Sequence, residues 1–83
     1  MYYVYILQSL LDGSYYIGYS HDPQSRLLKH NSSNTGYTSK KKPWKLVYVE
    51  EYETKAKAIS RENEIKRQKS KVYITNLIEG SVG

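Results

Sequence analysis

The sequence predicts an α/β chain of the α+β type, in the order strand, strand, helix, strand, helix, helix. Three observations carry this expectation. Two tyrosine-rich runs flank Asp12-Gly13, a dipeptide that favours a β-hairpin. Asp22-Pro23 and Thr54 stand where helices start, as side-chain caps, with proline at the first helical position in the former. A third run of alternating residues, Trp44 to Tyr52, lies between the two helix starts.

The first strand covers Tyr2 to Gln8, with Val4 and Ile6 on one face and Tyr3, Tyr5 and Leu7 on the other. The second covers Ser14 to Ser20. A two-residue turn pairs Leu11 with Ser14, so Tyr3, Tyr5, Tyr16, Gly18 and Ser20 share a face, while Val4, Ile6, Tyr15, Ile17 and Tyr19 take the other. A longer even-numbered turn preserves this parity, and a bulge breaks it. The first helix runs to about Asn31, with Leu27 and Leu28 inward and Arg26 and His30 one turn apart on one side. Residues 31–43 are rich in Ser, Asn, Thr and Lys and predict a long exposed loop. In the third strand, Leu46 and Tyr48 oppose Val47 and Val49. Thr54 opens a helix reaching about Lys69, and a last helix over Ser70 to Glu79 packs Tyr73, Leu77 and Ile74 or Ile78. Residues 1–79 are expected to form one domain, and 80–83 a disordered tail.

The chain has 83 residues, a formal charge of +5, ten tyrosines, no phenylalanine and no cysteine. Lacking cysteine, it can form neither disulfides nor thiolate-ligated metal sites, which suits a cytoplasmic location. The N-terminal apolar run is too short for a signal peptide, and no stretch nears the roughly 20 apolar residues of a membrane span. A lysine-rich, tyrosine-rich small domain suits a polyanion such as nucleic acid, although a solvated lysine surface explains the charge as well. Tyrosine used to the exclusion of phenylalanine implies that several hydroxyls meet polar partners.

Five positions could carry chemistry. On a wheel of about 100° per residue, Glu62 falls within the apolar arc of Ala58, Ile59 and Ile65. A carboxylate placed there needs a cation: a metal, or a basic neighbour such as Arg61 or Lys66. Arg26 could fork onto a phosphate or form a surface ion pair. His30 could move a proton near neutral pH or cap a helix end. Tyr5 and Tyr16 could orient water, or one could act as a base if a cation lowered its pKa; tyrosines also simply suit strands. Gly18, inside a strand, marks the close approach of another group, whether a phosphodiester or a packed element. His21 is read as a loop residue, and Tyr15 and Tyr19 as packing.

Together these residues resemble the GIY-YIG nuclease superfamily, most closely its small standalone bacterial members. The first half-motif stands as Tyr3-Val4-Tyr5, departing from the namesake at two positions, and the second is intact as Tyr16-Ile17-Gly18. Arg26, His30, Glu62 within Arg61-Glu62-Asn63-Glu64-Ile65-Lys66, and the strand Pro43-Trp44-Lys45-Leu46-Val47-Tyr48 extend the likeness from about Tyr2 to Ile78. The resemblance implies a three-stranded antiparallel sheet flanked by helices and phosphodiester hydrolysis with one divalent ion, Mg²⁺ or Mn²⁺, on Glu62. It also implies that Tyr5 positions or deprotonates water with His30 assisting, that Tyr16 bonds to phosphate or water, and that Arg26 neutralises phosphate charge. Some family members carry a lysine shortly after the second motif. Tyr19-Ser20-His21 stands there instead, which leaves the base to be chosen among Tyr5, Tyr16 and His30.

The expected activity is a metal-dependent endonuclease acting on nucleic acid, DNA before RNA, in repair or processing. The competing expectation is a non-catalytic binding module that uses the same face. Selectivity is expected for nucleic-acid structure, or from a protein partner, on a monomer or weak dimer. Tyr3, Gly18 and the lysines Lys40, Lys41 and Lys42 are expected to contact the nucleic-acid backbone.

Overall fold

The computed structural model describes residues 1–80. It holds strands β1 (Tyr2–Ser9), β2 (Tyr15–Ser20) and β3 (Trp44–Tyr52), helices α1 (Pro23–Ser32), α2 (Lys55–Gln68) and α3 (Lys71–Gly80), and one turn of 3₁₀-helix at Thr38–Lys40. The element order matches the expectation, with that turn added inside the predicted loop. The antiparallel sheet has the order β2-β1-β3. α3 takes in Gly80, and the rest of the expected tail, 81–83, lies outside the described residues.

β1 is central, which is why its residues read as apolar on both faces: Val4, Ile6 and Leu7 are fully buried and Tyr5 is 2% exposed. Ser9 N–H donates to the Ser14 carbonyl at 2.8 Å, so residues 10–13 make the turn, with Gly13 at φ 78°. The turn is longer than the two-residue type but still even. Tyr5 therefore pairs with Gly18, and the predicted parity holds.

β3 departs from strict alternation. Ile6 pairs with Tyr48, but Leu7 pairs with Leu46, leaving Val47 as the extra residue of a β-bulge. Leu46 and Tyr48 therefore lie on opposite faces, not together as the alternation predicts. Trp44 and Leu46 join Tyr5, Leu7, Tyr16 and Leu27 in a cluster beneath α1. Val47, Tyr48 and Tyr52 join Val4, Ile6, Ala58, Ile65 and Ile74 beneath α2 and α3.

Asp22 caps α1 by accepting from Ser25 N–H at 3.2 Å, and Thr54 caps α2 by accepting from Lys57 N–H at 3.2 Å. Only one of the two α1 leucines is inward. Leu27 packs beneath the helix, whereas Leu28 is 71% exposed, because the short helix turns the arc of Leu27, His30 and Asn31 to the sheet. Asn31 fixes the helix end to β3: its Oδ1 accepts from Trp44 N–H at 2.6 Å and its Nδ2 donates to the Trp44 carbonyl at 3.0 Å.

On the α2 face, Glu50 accepts from Arg61 Nε and Nη2 at 2.8 and 3.0 Å and from the Tyr52 and Tyr48 hydroxyls. Burial pushes the Glu50 carboxyl up, but the hydrogen bonds from Arg61, Tyr48 and Tyr52 outweigh it and hold the group below its usual value. The stabilisation is therefore complete above the ordinary carboxylate range and is lost as pH falls through the lower folded value. Glu50→Gln is expected to cost about 2 kcal/mol, since it removes the charge while Arg61 stays only partly hydrated. A lower urea midpoint with an unchanged slope would show it, and an unchanged midpoint would contradict it.

Candidate active site

β1, β2, α1 and α2 border one cavity of about 420 Å³, and Tyr5, Tyr16, Gly18, Arg26, His30 and Glu62 all line it. Five of these are the residues to which the sequence assigned chemistry, and the sixth is the strand glycine. The hairpin parity supplies Tyr5, Tyr16 and Gly18 from one sheet face. α1 supplies Arg26 and His30 from adjacent turns, and α2 supplies Glu62.

The aromatic groups form a tight set. Tyr16 and His30 have ring centroids 4.6 Å apart, Tyr5 lies 6.3 and 6.4 Å from His30 and Tyr16, and Trp44 supports Tyr16 edge-on at 6.3 Å. Tyr5 Oη is 3.3 Å from His30 Nε2. Gly18 makes room for Tyr5: a Cβ at residue 18 would sit 2.6 Å from Tyr5 Oη and 2.7 Å from Cζ. The close approach that the glycine signals is thus Tyr5 itself.

Burial pushes the Tyr5 phenol up to about 12, helped by Tyr16 and Glu62 and opposed by Arg26. Arg26 does act as the lowering cation that the sequence reading required, but burial wins. The phenol therefore rests protonated at neutral pH. Burial also lowers the His30 pKa, as do the charges of Arg26 and Lys29. With the phenol protonated and the imidazole neutral, the Nδ1–H tautomer of His30 lets Tyr5 Oη donate to Nε2.

Glu62 is 9% exposed and pairs through Oε2 with Lys66 Nζ at 2.6 Å, one turn along α2. Of the two basic neighbours considered, Lys66 takes the carboxylate, while Arg61 goes to Glu50. Among the described residues, no three His, Cys, Asp or Glu side chains gather as a metal cage. A single buried carboxylate still fits a hard ion such as Mg²⁺, which keeps several waters and completes its shell with substrate phosphate.

Arg26 is exposed at the rim, which suits capture of an incoming anion. Lys55, Tyr2, Tyr19, Ser20 and His21 also line the cavity. Sequence reasoning assigned Tyr19 to packing and His21 to a loop; Tyr19 does pack on the core, but it borders the cavity as well. Lys55 had a legible signal, lying seven residues before Glu62 on the same side of α2.

The remaining candidates lie elsewhere. The Tyr3 hydroxyl donates to Glu51 at 3.1 Å, outside the cavity lining. Lys41 pairs with Asp12 at 2.5 Å and Lys42 donates to the Ser33 carbonyl at 2.9 Å, so both serve to hold the loop. Lys40 is exposed, and none of the three lines the cavity.

A family profile described as the GIY-YIG catalytic domain matches residues 1–76. A UPF0213 protein of Staphylococcus epidermidis is 40% identical over 79 residues, covering 94% of this chain and 95% of its own. A UPF0213 protein of Staphylococcus aureus is 48% identical over 65 residues, covering 77% and 78%. The solution NMR structure of a UPF0213 protein from Bacillus halodurans superposes with a TM-score of 0.60 at 36% identity, over 95% of this chain and 84% of that one. Among the described residues, no helix is long and apolar enough to cross a membrane.

Proposed function

The chain belongs to the GIY-YIG family of nuclease domains, and from that premise we propose a divalent-metal-dependent endonuclease that hydrolyses phosphodiester bonds in DNA selected by its structure, in a repair or processing role. The observation that carries this reading is the convergence of Tyr5, Tyr16, Arg26, His30 and Glu62 on one cavity. A binding module would have no need of a buried carboxylate among phosphate-binding groups.

Glu62 would hold the single Mg²⁺ or Mn²⁺ ion, which when bound polarises the scissile phosphate and stabilises the leaving oxygen. Arg26 binds the phosphate and neutralises charge that develops on its oxygens. Tyr16 donates a hydrogen bond to the phosphate or the attacking water. Tyr5 orients that water and takes its proton at Oη while passing its own proton to His30 Nε2 across the 3.3 Å contact. This relay needs no resting phenolate and so accords with the raised Tyr5 pKa.

Labelled single strands, flaps, branches and blunt duplexes of DNA and RNA, incubated with Mg²⁺ and with EDTA, test the proposal. Cleavage of a branched or single-stranded DNA, abolished by EDTA, is expected. Binding without cleavage of any substrate would favour the non-catalytic module.

The relay also sets a pH dependence. His30 must be neutral to accept, and its pKa lies below the usual 6.5. The rate should therefore be level from about pH 7 to 8 and fall tenfold per unit once pH drops below the lowered histidine value. His30→Gln should abolish that acid limb in a profile of kcat/KM; an identical limb in the variant would remove His30 from the proton path.

A further inference from the structure

A second groove of about 350 Å³ lies along the outer strand β2, where the end of α2 meets the start of α3. Its lining includes Tyr15, Ile17, Ile65 and Ile74, an apolar surface of the kind on which an unstacked base rests. Lys66, Lys69 and Lys71 line it as well, and no acidic side chain does so among the described residues. Tyr37, 56% exposed, joins the lining from the loop before β3. Lys71 Nζ stands 5.9 Å from the Tyr15 ring centroid.

Two of these lysines occupy positions that local physics disfavours. Lys69 ends α2 in the left-handed region at φ 47°, where glycine or asparagine is the usual residue. Lys71 is the first residue of α3, where a positive charge opposes the helix dipole. Neither makes an ion pair among the described residues. Residues that cost stability in the free protein point to a ligand that needs their charge. Lys66 links this groove to the catalytic cavity, because it lines the former and pairs with Glu62 in the latter.

We infer that this groove is a subsite for an unpaired nucleotide of the same polynucleotide that is held in the catalytic cavity. Lys69 and Lys71 contact the phosphates and Tyr15 faces the base. The inference rests on the nucleic-acid reading above and narrows its substrate class to DNA with a single-stranded stretch beside the cut. A fully paired duplex keeps its bases stacked and cannot use the apolar surface.

The test compares Lys69→Gly with Lys71→Gln, combined, against Lys45→Gln with Lys57→Gln, a pair of exposed lysines outside the groove that changes the charge equally. Binding of a labelled 15-nucleotide oligothymidylate and of a blunt 15-base-pair duplex is measured in EDTA, so no cleavage is required. The groove variant should bind the single strand roughly tenfold more weakly, with a salt slope shallower by about 1.4 for two lost phosphate contacts. Its duplex binding should change no more than that of the control pair, and its Tm should equal or exceed wild type, since both strained positions are relieved.

Equal weakening by the groove and control pairs, or equal loss of single-strand and duplex binding, would overturn the subsite. A selective loss of single-strand binding supports it even if the wild type cleaves nothing, so it can stand while the endonuclease reading fails. Cleavage by a wild type whose groove variant behaves as the control would sink the subsite alone.

Discussion

Glu62→Gln is expected to reduce metal-dependent cleavage by about 10²- to 10³-fold while leaving the fold and nucleic-acid binding in EDTA intact. The change is nearly isosteric. The glutamine carbonyl can still accept from Lys66, whose Nζ sits 2.6 Å from Oε2, so the side chain keeps a polar partner. The negative charge is lost, and with it the one carboxylate that lines the cavity among the described residues. Single-turnover rates with Mg²⁺, paired with thermal unfolding, separate the two effects. A well-folded variant that cuts at the wild-type rate would take Glu62 out of the mechanism.

Gly18→Ala is expected to have the second largest effect, although it adds a single methyl group to a residue that bears no chemistry. The added carbon would lie 2.6 Å from Tyr5 Oη, and the phenol is boxed in, being 2% exposed. Something must move, and the ring end is nearest. Displacing it breaks the 3.3 Å contact to His30 and the alignment of the water-handling hydroxyl. A shift of this size costs on the order of 10²-fold in rate, with overpacking adding about 1–3 kcal/mol of destabilisation. Tyr5→Phe should lower the rate to a similar degree. The double variant should lose little beyond either single one, because both act through the same hydroxyl. Fully multiplicative losses would show that Gly18 matters for another reason.

The sequence reading was most complete where local rules were obeyed without exception. The hairpin turn kept an even length, so the faces of Tyr5, Tyr16 and Gly18 followed from parity although the pairing was displaced from that of a two-residue turn. The caps at Asp22 and Thr54 made the helix starts legible. Other features left no local trace. A bulge at Val47 does not disturb the hydrophobic pattern, so the split of Leu46 from Tyr48 could not be read. Leu27 and Leu28 are equally apolar, and only the angle of α1 on the sheet decides which is covered. The lysine run beside Pro43 also has a structural part that the run does not announce: Lys41 pairs with Asp12 and Lys42 donates to the Ser33 carbonyl. Those partners are distant or unremarkable in sequence. The lysines that line the second groove are scattered singly over two helices and form no run at all.

The bulge also sets a rule of length rather than of chemistry. On one side of Val47 the strand answers to α1 through Trp44 and Leu46; on the other it answers to α2 through Tyr48, Glu50 and Tyr52. Exchanging Val47 for another residue that suits a pleated surface leaves both allegiances in place. Deleting it makes Leu46 and Tyr48 neighbours, which regular pleating places on opposite faces as they already lie, so both halves keep their partners. The position therefore tolerates omission as well as substitution, whereas a single-codon deletion at Val49 would turn Tyr48 or Glu50 to the other face of the sheet.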